Sequence, residues 1–209
     1  MPVSADLPED VQILHRALTT LHHSTQRYTT LNLSNCGTAM RFLTAYAAQL
    51  ENKVTVLDGV ERMHHRPIGQ LVDALREIGA DIEYLGEEGF PPLRIKGCIL
   101  DKHRIVTLNN PQSTQFVSAL LLIGANVQTD STSPYITLTH ELIQHYTTLH
   151  NSTQRYTIEK DWSSAAFWYE YVALYGGEIT LPGLFRNSLQ GDKIVADIFT
   201  HLGVHTTYT

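Results

Sequence analysis

The sequence predicts an α+β fold built from repeated units of helix and strand. Segments with helical apolar spacing alternate along the chain with short runs rich in branched residues. The junction from a helix through glycine into a strand recurs four times, as EIGADIEY, LIGANVQ, LYGGEIT and HLGVHTTY. Helices commonly end at glycine, but four such junctions in one chain favour an internally repeated architecture.

Composition narrows the class of protein. The chain has 209 residues, a formal net charge of −6 and 43% hydrophobic residues, which is typical of a globular protein. Without a basic run, neither nucleic acid nor a membrane is expected as a partner. Cys36 and Cys98 are too few for a disulfide scaffold. The acidic start MPVSADLPED lacks the apolar run of a signal peptide, and ALLLIGANV is too short to span a bilayer, so we expect a cytoplasmic protein.

The elements follow in order along the chain. VQILHRAL predicts a first helix, and TAMRFLTAYAAQL predicts a second one with Met40, Leu43, Ala47 and Leu50 on one face. VTVLDG predicts a strand. RPIGQLVDALREIG predicts a third helix, with Pro67 in its first turn and Gly79 at its C-terminal cap. DIEYL and LRIKG then predict two strands, which completes the order strand, helix, strand, helix, strand, strand.

Two stretches of the chain are nearly identical. TTLHHSTQRYT at residues 19–29 and TTLHNSTQRYT at residues 147–157 differ at one position, and each follows a predicted helix. Their histidines, His22, His23 and His150, are candidate metal ligands by residue type. No carboxylate or cysteine partner stands nearby to complete a tetrahedral set, so no metal site is predicted.

The segment NCGTAMRFLTA combines three features that suit an anion. Gly37 lets a ligand approach the backbone closely, the amides of a helix N-terminus favour negative charge, and Arg41 adds a planar set of donors. The alternative is a capped amphipathic helix with a surface arginine.

Two further helix starts carry similar groups. ERMHHRPIGQL supplies Arg62 and Arg66, and NNPQSTQFVSALL supplies Ser113, Thr114 and Gln115 ahead of an apolar helix. Hydroxyl and amide groups at a helix start either cap the helix or bind phosphate oxygens. Together with the polar start EKDWSSAAFW, these groups favour phosphate binding about as strongly as they favour helix capping.

Several motifs in one order resemble the 5-enolpyruvylshikimate-3-phosphate synthase family from Leu31 onward. They are NCGTAMRFLTA, ERMHHRPIGQLVDALREIGADIEYL, GFPPLRIKG, STQFVSALL, SPYITLT, EKDWSSAAFW and NSLQGDKIVADIFTHLGV. RPIGQLVDAL beside GTAMR separates this family from the UDP-N-acetylglucosamine enolpyruvyl transferases, which share its fold. The resemblance implies repeated βαβαββ units of the enolpyruvyl transferase fold, an inside-out α/β barrel type that is incomplete here.

The resemblance also implies how the chain is divided. Residues 1–157 would form most of the first, shikimate-phosphate-binding domain with shortened segments, and residues 158–209 would begin the second domain. The two near-identical stretches are expected to be short bypasses over segments that the family has at greater length.

The implied activity is enolpyruvyl transfer from phosphoenolpyruvate to the 5-hydroxyl of shikimate 3-phosphate, with release of phosphate, in aromatic amino-acid biosynthesis. The family needs no metal and no organic cofactor, and its partners are these two small molecules. Two alternatives stay open: a catalytically inactive domain that only binds phosphorylated shikimate, and a relative of the UDP-N-acetylglucosamine enolpyruvyl transferases. The oligomeric state is not predicted.

The resemblance implies binding roles for the residues that match the family's motifs. Gly37, Arg66 and Gln115 would bind phosphoenolpyruvate. The positions that would bind shikimate 3-phosphate are Ser113, Thr114, Gln115, Thr132 and Tyr135. Both Thr114 and Thr132 stand where the family commonly has serine, and each keeps a hydroxyl.

Other positions carry over with different roles. Gly37, Thr38 and Phe42 match positions that set sensitivity to the herbicide glyphosate, and Phe42 replaces the commoner proline. Arg41 and Arg62 are expected to be structural, and Cys36 replaces the usual alanine as a small buried side chain.

The catalytic acid and base are left unassigned, because the family's proton-transfer residues lie in its second half. The Lys-Ser segment with which the family begins also has no counterpart here. We therefore expect little turnover from this chain alone.

Overall fold

The computed structural model of the protein describes residues 7–149 and 157–208. The chain separates into two compact units, Met1–Ser131 and Thr132–Thr209. Helices and strands both contribute to the first unit, so the α+β prediction is confirmed. No helix within the described residues combines the length and the apolar character that a bilayer crossing requires.

The first unit contains four helices and six strands among its described residues. The helices are α1 (Glu9–His23), α2 (Gly37–Ala48), α3 (Gly69–Glu77) and α4 (Thr114–Leu122). The strands are β1 (Tyr28–Asn32), β2 (Val54–Asp58), β3 (Asp81–Tyr84), β4 (Leu93–Lys96), β5 (Ile105–Leu108) and β6 (Asn126–Thr129). A short 3₁₀ helix spans Glu61–His65. From β1 to β4 the order is β, α, β, α, β, β, as predicted.

A four-stranded sheet in the order β1-β2-β4-β3 organises this unit. β1 and β2 run parallel, with Leu31 opposite Leu57, whereas β4 is antiparallel to both β2 and β3. A separate parallel pair, β5-β6, follows. Because β1 and β2 are parallel neighbours, the loops that leave their carboxyl ends emerge at the same edge of the sheet.

Helix α2 is buried along the face that its apolar spacing predicted. Met40, Leu43 and Ala47 are each at most 1% exposed, whereas Leu50, predicted on the same face, lies beyond the end of the helix and is half-buried. Such continuous burial fixes the helix within the core and thereby fixes the position of its N-terminus, where Gly37 is the first helical residue.

Helix α3 ends as predicted but begins later. Gly79 adopts φ +100° after the helix and its N–H donates to Arg76 O at 3.0 Å, which confirms the glycine cap. Pro67 lies outside the helix, however, so its placement in the first turn was wrong. Ile68 precedes the helix with φ −135°, and its N–H donates to Gly89 O at 2.8 Å, so the helix begins at Gly69.

The second unit is described as helices and loops. Its helices are α5 (Pro134–Leu149), α6 (Trp162–Tyr175) and α7 (Val195–Thr200), with a 3₁₀ helix at Gly191–Ile194. A cluster of buried residues packs α6 against α7; it comprises Trp162, Ala165, Tyr169, Val195 and Ala196.

The start of α6 is fixed by two carboxylates. Asp161 caps the helix by accepting hydrogen bonds from the N–H groups of Ser163 at 3.1 Å and Ser164 at 3.0 Å. Glu159 accepts from Trp162 Nε1 at 2.8 Å and from Phe185 N at 2.7 Å. It also accepts from two further side chains, those of Ser188 and Gln190. Burial opposes ionisation of Glu159, but these donors outweigh it and hold its pKa below the ordinary value.

Among the described residues, the predicted succession of helix, glycine and strand is observed only in the first unit. EIGADIEY and LIGANVQ lead into β3 and β6, whereas LYGGEIT and HLGVHTTY lead into irregular backbone. The two later predictions were wrong, because a strand needs a neighbour to pair its backbone groups and no described residue of the second unit supplies one.

The two near-identical stretches differ in how much of each is described. Residues 19–29 form the end of α1, a short link and the start of β1. Of the second stretch, residues 147–149 end α5 and residues 150–156, with His150, lie outside the described part of the chain. The predicted bypasses and the predicted domain boundary after residue 157 therefore stay predictions.

Candidate anion-binding site

A cavity of about 520 Å³ lies beside the carboxyl ends of β1 and β2. It is bounded by the first turn of α1, the loop after β1, the N-terminus of α2 and the segment after β2. The lining residues are Glu9, Asp10, Ile13, Ser34, Asn35, Cys36, Gly37, Thr38, Arg41, Val60 and Arg66. Three predicted site positions, Gly37, Thr38 and Arg66, thus share one cavity.

The N-terminus of α2 forms one wall. Cys36 is its N-cap, and Cys36 Sγ accepts from Ala39 N at 3.3 Å. Burial raises the pKa of the Cys36 thiol, and the nearby Asp10 carboxylate adds to that effect. The thiol is therefore neutral near pH 7 and buried, as its expected structural role requires, rather than an activated nucleophile. First-turn amides that the helix itself does not use remain available to an anion.

Gly37 leaves room for the arginine next to it. A Cβ atom added at Gly37 would lie 2.3 Å from Arg66 Nη1 and 3.8 Å from Arg41 Nη1. Any side chain at this position would therefore displace the Arg66 guanidinium. The absence of a side chain lets positive charge and backbone amides approach the same point of the cavity.

Gln115 links the predicted residues of α2 and α4. Arg41 Nη1 donates to Gln115 Oε1 at 2.6 Å, and Gln115 Nε2 donates to Thr38 Oγ1 at 3.2 Å. The Arg41 guanidinium also lies over the Phe116 ring, 5.6 Å from its centroid. Arg41 therefore braces α2 against α4, which fits its expected structural role.

Two guanidinium groups, of Arg41 and Arg66, and two carboxylates, of Glu9 and Asp10, line the cavity, and the positive charge is concentrated beside Gly37. Burial lowers the pKa of Arg41, and the positive charge of Arg66 lowers it further, although an arginine remains protonated at any ordinary pH. Among the described ion pairs, no carboxylate partners either Arg41 or Arg66. A bound phosphate or carboxylate would relieve the repulsion between the two guanidinium groups through charge-assisted hydrogen bonds.

Ser113 and Thr114 lie at the start of α4. Ser113 is the N-cap of α4 and its Oγ accepts from Gln115 N at 3.3 Å, while Thr114 is the first helical residue. Both are half-buried and neither lines the cavity. The capping role that the sequence left as an alternative is therefore observed for Ser113, and this cap orients Gln115.

Two further predicted residues belong to the second unit. Tyr135 is the second residue of α5, and its hydroxyl donates to Asp192 Oδ2 at 3.2 Å, an atom that also accepts from Ser163 Oγ. Burial raises the pKa of Tyr135, and the Asp192 carboxylate raises it further. Thr132 is exposed just before this helix.

The remaining predicted positions lie away from the cavity lining. Phe42 is half-buried on α2, and Arg62 is exposed in the 3₁₀ helix. Across the described ranges, no group of three or more His, Cys, Asp or Glu side chains is arranged to hold a metal ion.

Glu9 and Asp10 are also parts of the cavity wall, although no sequence motif predicted them there. The acidic first turn of α1 was visible in the sequence, but nothing local indicated that it would lie beside the start of α2. The contact is long-range: Cys36 Sγ lies 3.9 Å from Asp10 O across 26 positions of the chain.

Comparison with known proteins shows the family of this chain. The family model of EPSP synthase (3-phosphoshikimate 1-carboxyvinyltransferase) matches residues 8–209. The 3-phosphoshikimate 1-carboxyvinyltransferase of Bacteroides fragilis is 40% identical over 96% of this chain and 53% of its own length. That of Erwinia tasmaniensis is 39% identical over 83% of this chain and 46% of its own length.

A solved structure, EPSP synthase from Acinetobacter baumannii, is 28% identical, with 50% of this chain and 25% of that chain covered and a TM-score of 0.44. The assignment rests on the sequence matches instead of this partial likeness. The chain spans about half the length of the curated relatives it matches. It belongs to the EPSP synthase family, whose members are transferases.

Proposed function

We propose that this chain takes part in enolpyruvyl transfer from phosphoenolpyruvate to the 5-hydroxyl of shikimate 3-phosphate. The observation that carries the proposal is the contact at Gly37, where only a glycine leaves space for the Arg66 guanidinium at the start of α2. Phosphate oxygens of phosphoenolpyruvate would accept hydrogen bonds from Arg66 and from the first-turn amides.

Gln115 is the proposed link between the two substrates. Its carbonyl oxygen is held by Arg41 and its amide group by Thr38, so both ends of the side chain are fixed. A side chain held in this way loses little conformational entropy when it binds a ligand. Ser113, Thr114, Thr132 and Tyr135 are the other proposed contacts to shikimate 3-phosphate, and the proposal assigns no acid or base.

We also propose how the chain is divided into domains and in which compartment the reaction takes place. Residues 1–157 would contribute most of the shikimate-phosphate-binding domain, and residues 158–209 would begin the second. The reaction would take place in the cytoplasm as a step of aromatic amino-acid biosynthesis.

The first test is calorimetric titration of the chain with shikimate 3-phosphate. We expect saturable binding that weakens about 10- to 100-fold in Gln115→Ala, as loss of a hydrogen bond to a charged ligand predicts. Gln128→Ala is the matched control, because Gln128 is exposed on β6, whereas Gln115 is half-buried and hydrogen-bonded to Arg41 of the cavity lining, although it is not itself a lining residue. Equal affinities in the wild type and Gln115→Ala would contradict the assignment of Gln115.

A second measurement separates the alternatives. Phosphate release from shikimate 3-phosphate and phosphoenolpyruvate together would support transfer, whereas binding without release would limit this chain to a binding role. Saturable binding of UDP-N-acetylglucosamine with no binding of shikimate 3-phosphate would favour the sibling transferases.

A further inference from the structure

Arg66 reaches the anion-binding cavity from a short segment that follows β2. The segment runs from Asp58, at the end of the strand, through Gly59 to the 3₁₀ helix Glu61–His65. Arg66 directly follows this helix, and its N–H donates to Met63 O at 3.0 Å. The position of the Arg66 backbone, and with it the reach of the guanidinium group, therefore depends on how the 3₁₀ helix is held.

A 3₁₀ helix of five residues contributes little to its own stability. Its hydrogen bonds have poorer geometry than those of an α-helix, and such helices are accordingly short. Three of its side chains are exposed, those of Glu61, Arg62 and His65. Met63 is 1% exposed and His64 is half-buried, so these are the two side chains through which the helix packs on the first unit.

Backbone contacts hold the start of this helix. A Cβ atom added at Gly59 would lie 2.6 Å from Ser34 O and 2.8 Å from Met63 Cβ, so the chain packs closely on its neighbours here. The N–H of Val60 donates to Ser34 O at 3.0 Å, and the N–H of Met63 donates to Val60 O at 2.7 Å. These contacts join the start of the helix to the loop after β1. They do not fix its other end, which lies next to Arg66.

The side chain of His64 joins that other end to β2. His64 Nε2 donates to Asp58 Oδ1 at 2.7 Å. Because a carboxylate only accepts hydrogen bonds, Nε2 carries the proton in this contact. Asp58 Oδ1 also accepts from Gly59 N at 2.7 Å, and Asp58 O accepts from Leu33 N at 2.8 Å. Asp58 is thus fixed through its backbone and its side chain, and it offers His64 an acceptor of defined position.

We propose that His64 and Asp58 are positioning residues for Arg66. Their hydrogen bond fixes the segment between β2 and Arg66 at its far end, so the guanidinium group stays beside Gly37 when no ligand is bound. Donors that are placed before binding lose less conformational entropy when an anion arrives. The inference rests on the proposed contact of Arg66 with phosphoenolpyruvate and identifies the groups that hold Arg66 in place for it.

The first measurement needs no ligand. Nuclear magnetic resonance relaxation of the Arg66 Nε–H group, assigned by the loss of its signal in Arg66→Lys, reports how firmly the side chain is held. We expect its order parameter to fall and its chemical shift to change in His64→Ala and in Asp58→Ala. His64→Gln keeps an N–H donor of similar reach and should restore both values. His65→Ala is the matched control, because His65 is the same residue type, adjacent and exposed.

The second measurement is calorimetric titration with phosphoenolpyruvate and, separately, with shikimate 3-phosphate. His64→Ala should weaken phosphoenolpyruvate binding about 2- to 10-fold, as loss of one hydrogen bond predicts, and leave the affinity for shikimate 3-phosphate near that of the wild type. In an Asp58→Ala background the same change should cost little further affinity, because both substitutions remove one contact. Circular dichroism and thermal unfolding verify that each variant is folded.

The two measurements can overturn the inference separately. An unchanged Arg66 Nε–H signal in folded His64→Ala, or an equal change in His65→Ala, would show that the pair does not hold Arg66. Equal losses for both ligands, or a loss that His64→Gln does not restore, would reduce the pair to a general stabiliser of the segment. A wild-type chain that binds neither ligand would contradict the proposed function, whereas the ligand-free comparison would still decide whether His64 and Asp58 position Arg66.

Discussion

At Gly37 the missing side chain decides where a neighbouring guanidinium lies. The clash that a Cβ atom would make is with Arg66 Nη1, the mobile end of a long side chain, rather than with backbone. A substitution here therefore changes the free energy of unfolding little, because the arginine side chain can move aside. The substitution instead lowers the affinity for the ligand that Arg66 is proposed to bind.

Gly37→Ala should thus separate binding from stability. We expect affinity for phosphoenolpyruvate to fall about 10- to 100-fold, as the loss of a charge-assisted hydrogen bond predicts, with little change in the thermal midpoint. Calorimetry and thermal unfolding measure the two effects. In an Arg66→Ala background, the same change should cost little more, because both substitutions remove one contact. Strictly additive losses would show that Gly37 acts independently of Arg66.

Asp161 shows the opposite case, a residue whose contribution is to stability. Its carboxylate caps α6, and the hydroxyl of Ser164 is the largest of the influences that hold its pKa below the ordinary value. A lowered pKa in the folded state means that the unfolded chain binds the proton more readily. The stabilisation is present above the ordinary pKa and is lost as pH falls through the lowered one.

Asp161→Ala should accordingly lower the free energy of unfolding by about 1 kcal/mol at neutral pH, as loss of an N-cap does. Urea unfolding followed by circular dichroism should show this penalty shrinking in acid, where the wild-type carboxylate is protonated. Glu178→Ala removes an exposed carboxylate of the same unit and serves as the control. A penalty that is independent of pH would rule out the charged cap.

At the scale of the element, α3 illustrates how a helix is ended. Gly79 takes a left-handed conformation that turns the chain from the helix into β3, and its N–H completes a hydrogen bond to Arg76 O. The nearest atom to an added Cβ is 4.0 Å away, at Ile99 O. Conformation, rather than space, is what restricts this position.

Gly79→Ala should therefore destabilise the chain by about 1–2 kcal/mol, the cost of a left-handed residue that has a Cβ atom. Gly86→Ala is the comparison, because an added Cβ there meets only Pro92 Cδ at 3.6 Å, an ordinary contact, without positive φ. Urea denaturation gives both values. Equal effects of the two substitutions would remove the conformational explanation.

At the scale of the molecule, local patterns predicted the elements of the first unit well. The apolar spacing of α2 and the glycine after α3 are encoded within a few residues, and both were found in the structure. The strands expected after LYGG and HLGV were not found, because a strand also depends on a distant neighbour. Periodicity carries no information about such neighbours.

The contacts of the candidate site also could not be predicted from local sequence patterns. Arg41 and Gln115 are 74 positions apart in the chain, so their hydrogen bond follows from the packing of α2 against α4. Family resemblance placed Gly37, Arg66 and Gln115 in one site, which composition and spacing alone did not. It did not indicate the acidic first turn of α1, since Glu9 and Asp10 reach the cavity only through the tertiary fold.

The placement of the tryptophan residues has a practical consequence. The chain has two, and both lie on α6: Trp162 is 1% exposed and donates its indole N–H to Glu159, whereas Trp168 is 51% exposed. Tryptophan fluorescence therefore monitors the second unit, through one buried and one exposed indole ring. The candidate anion-binding cavity lies in the first unit, which contains no tryptophan. Quenching by iodide would select the solvated indole, and a tryptophan introduced near α2 would make the cavity optically visible.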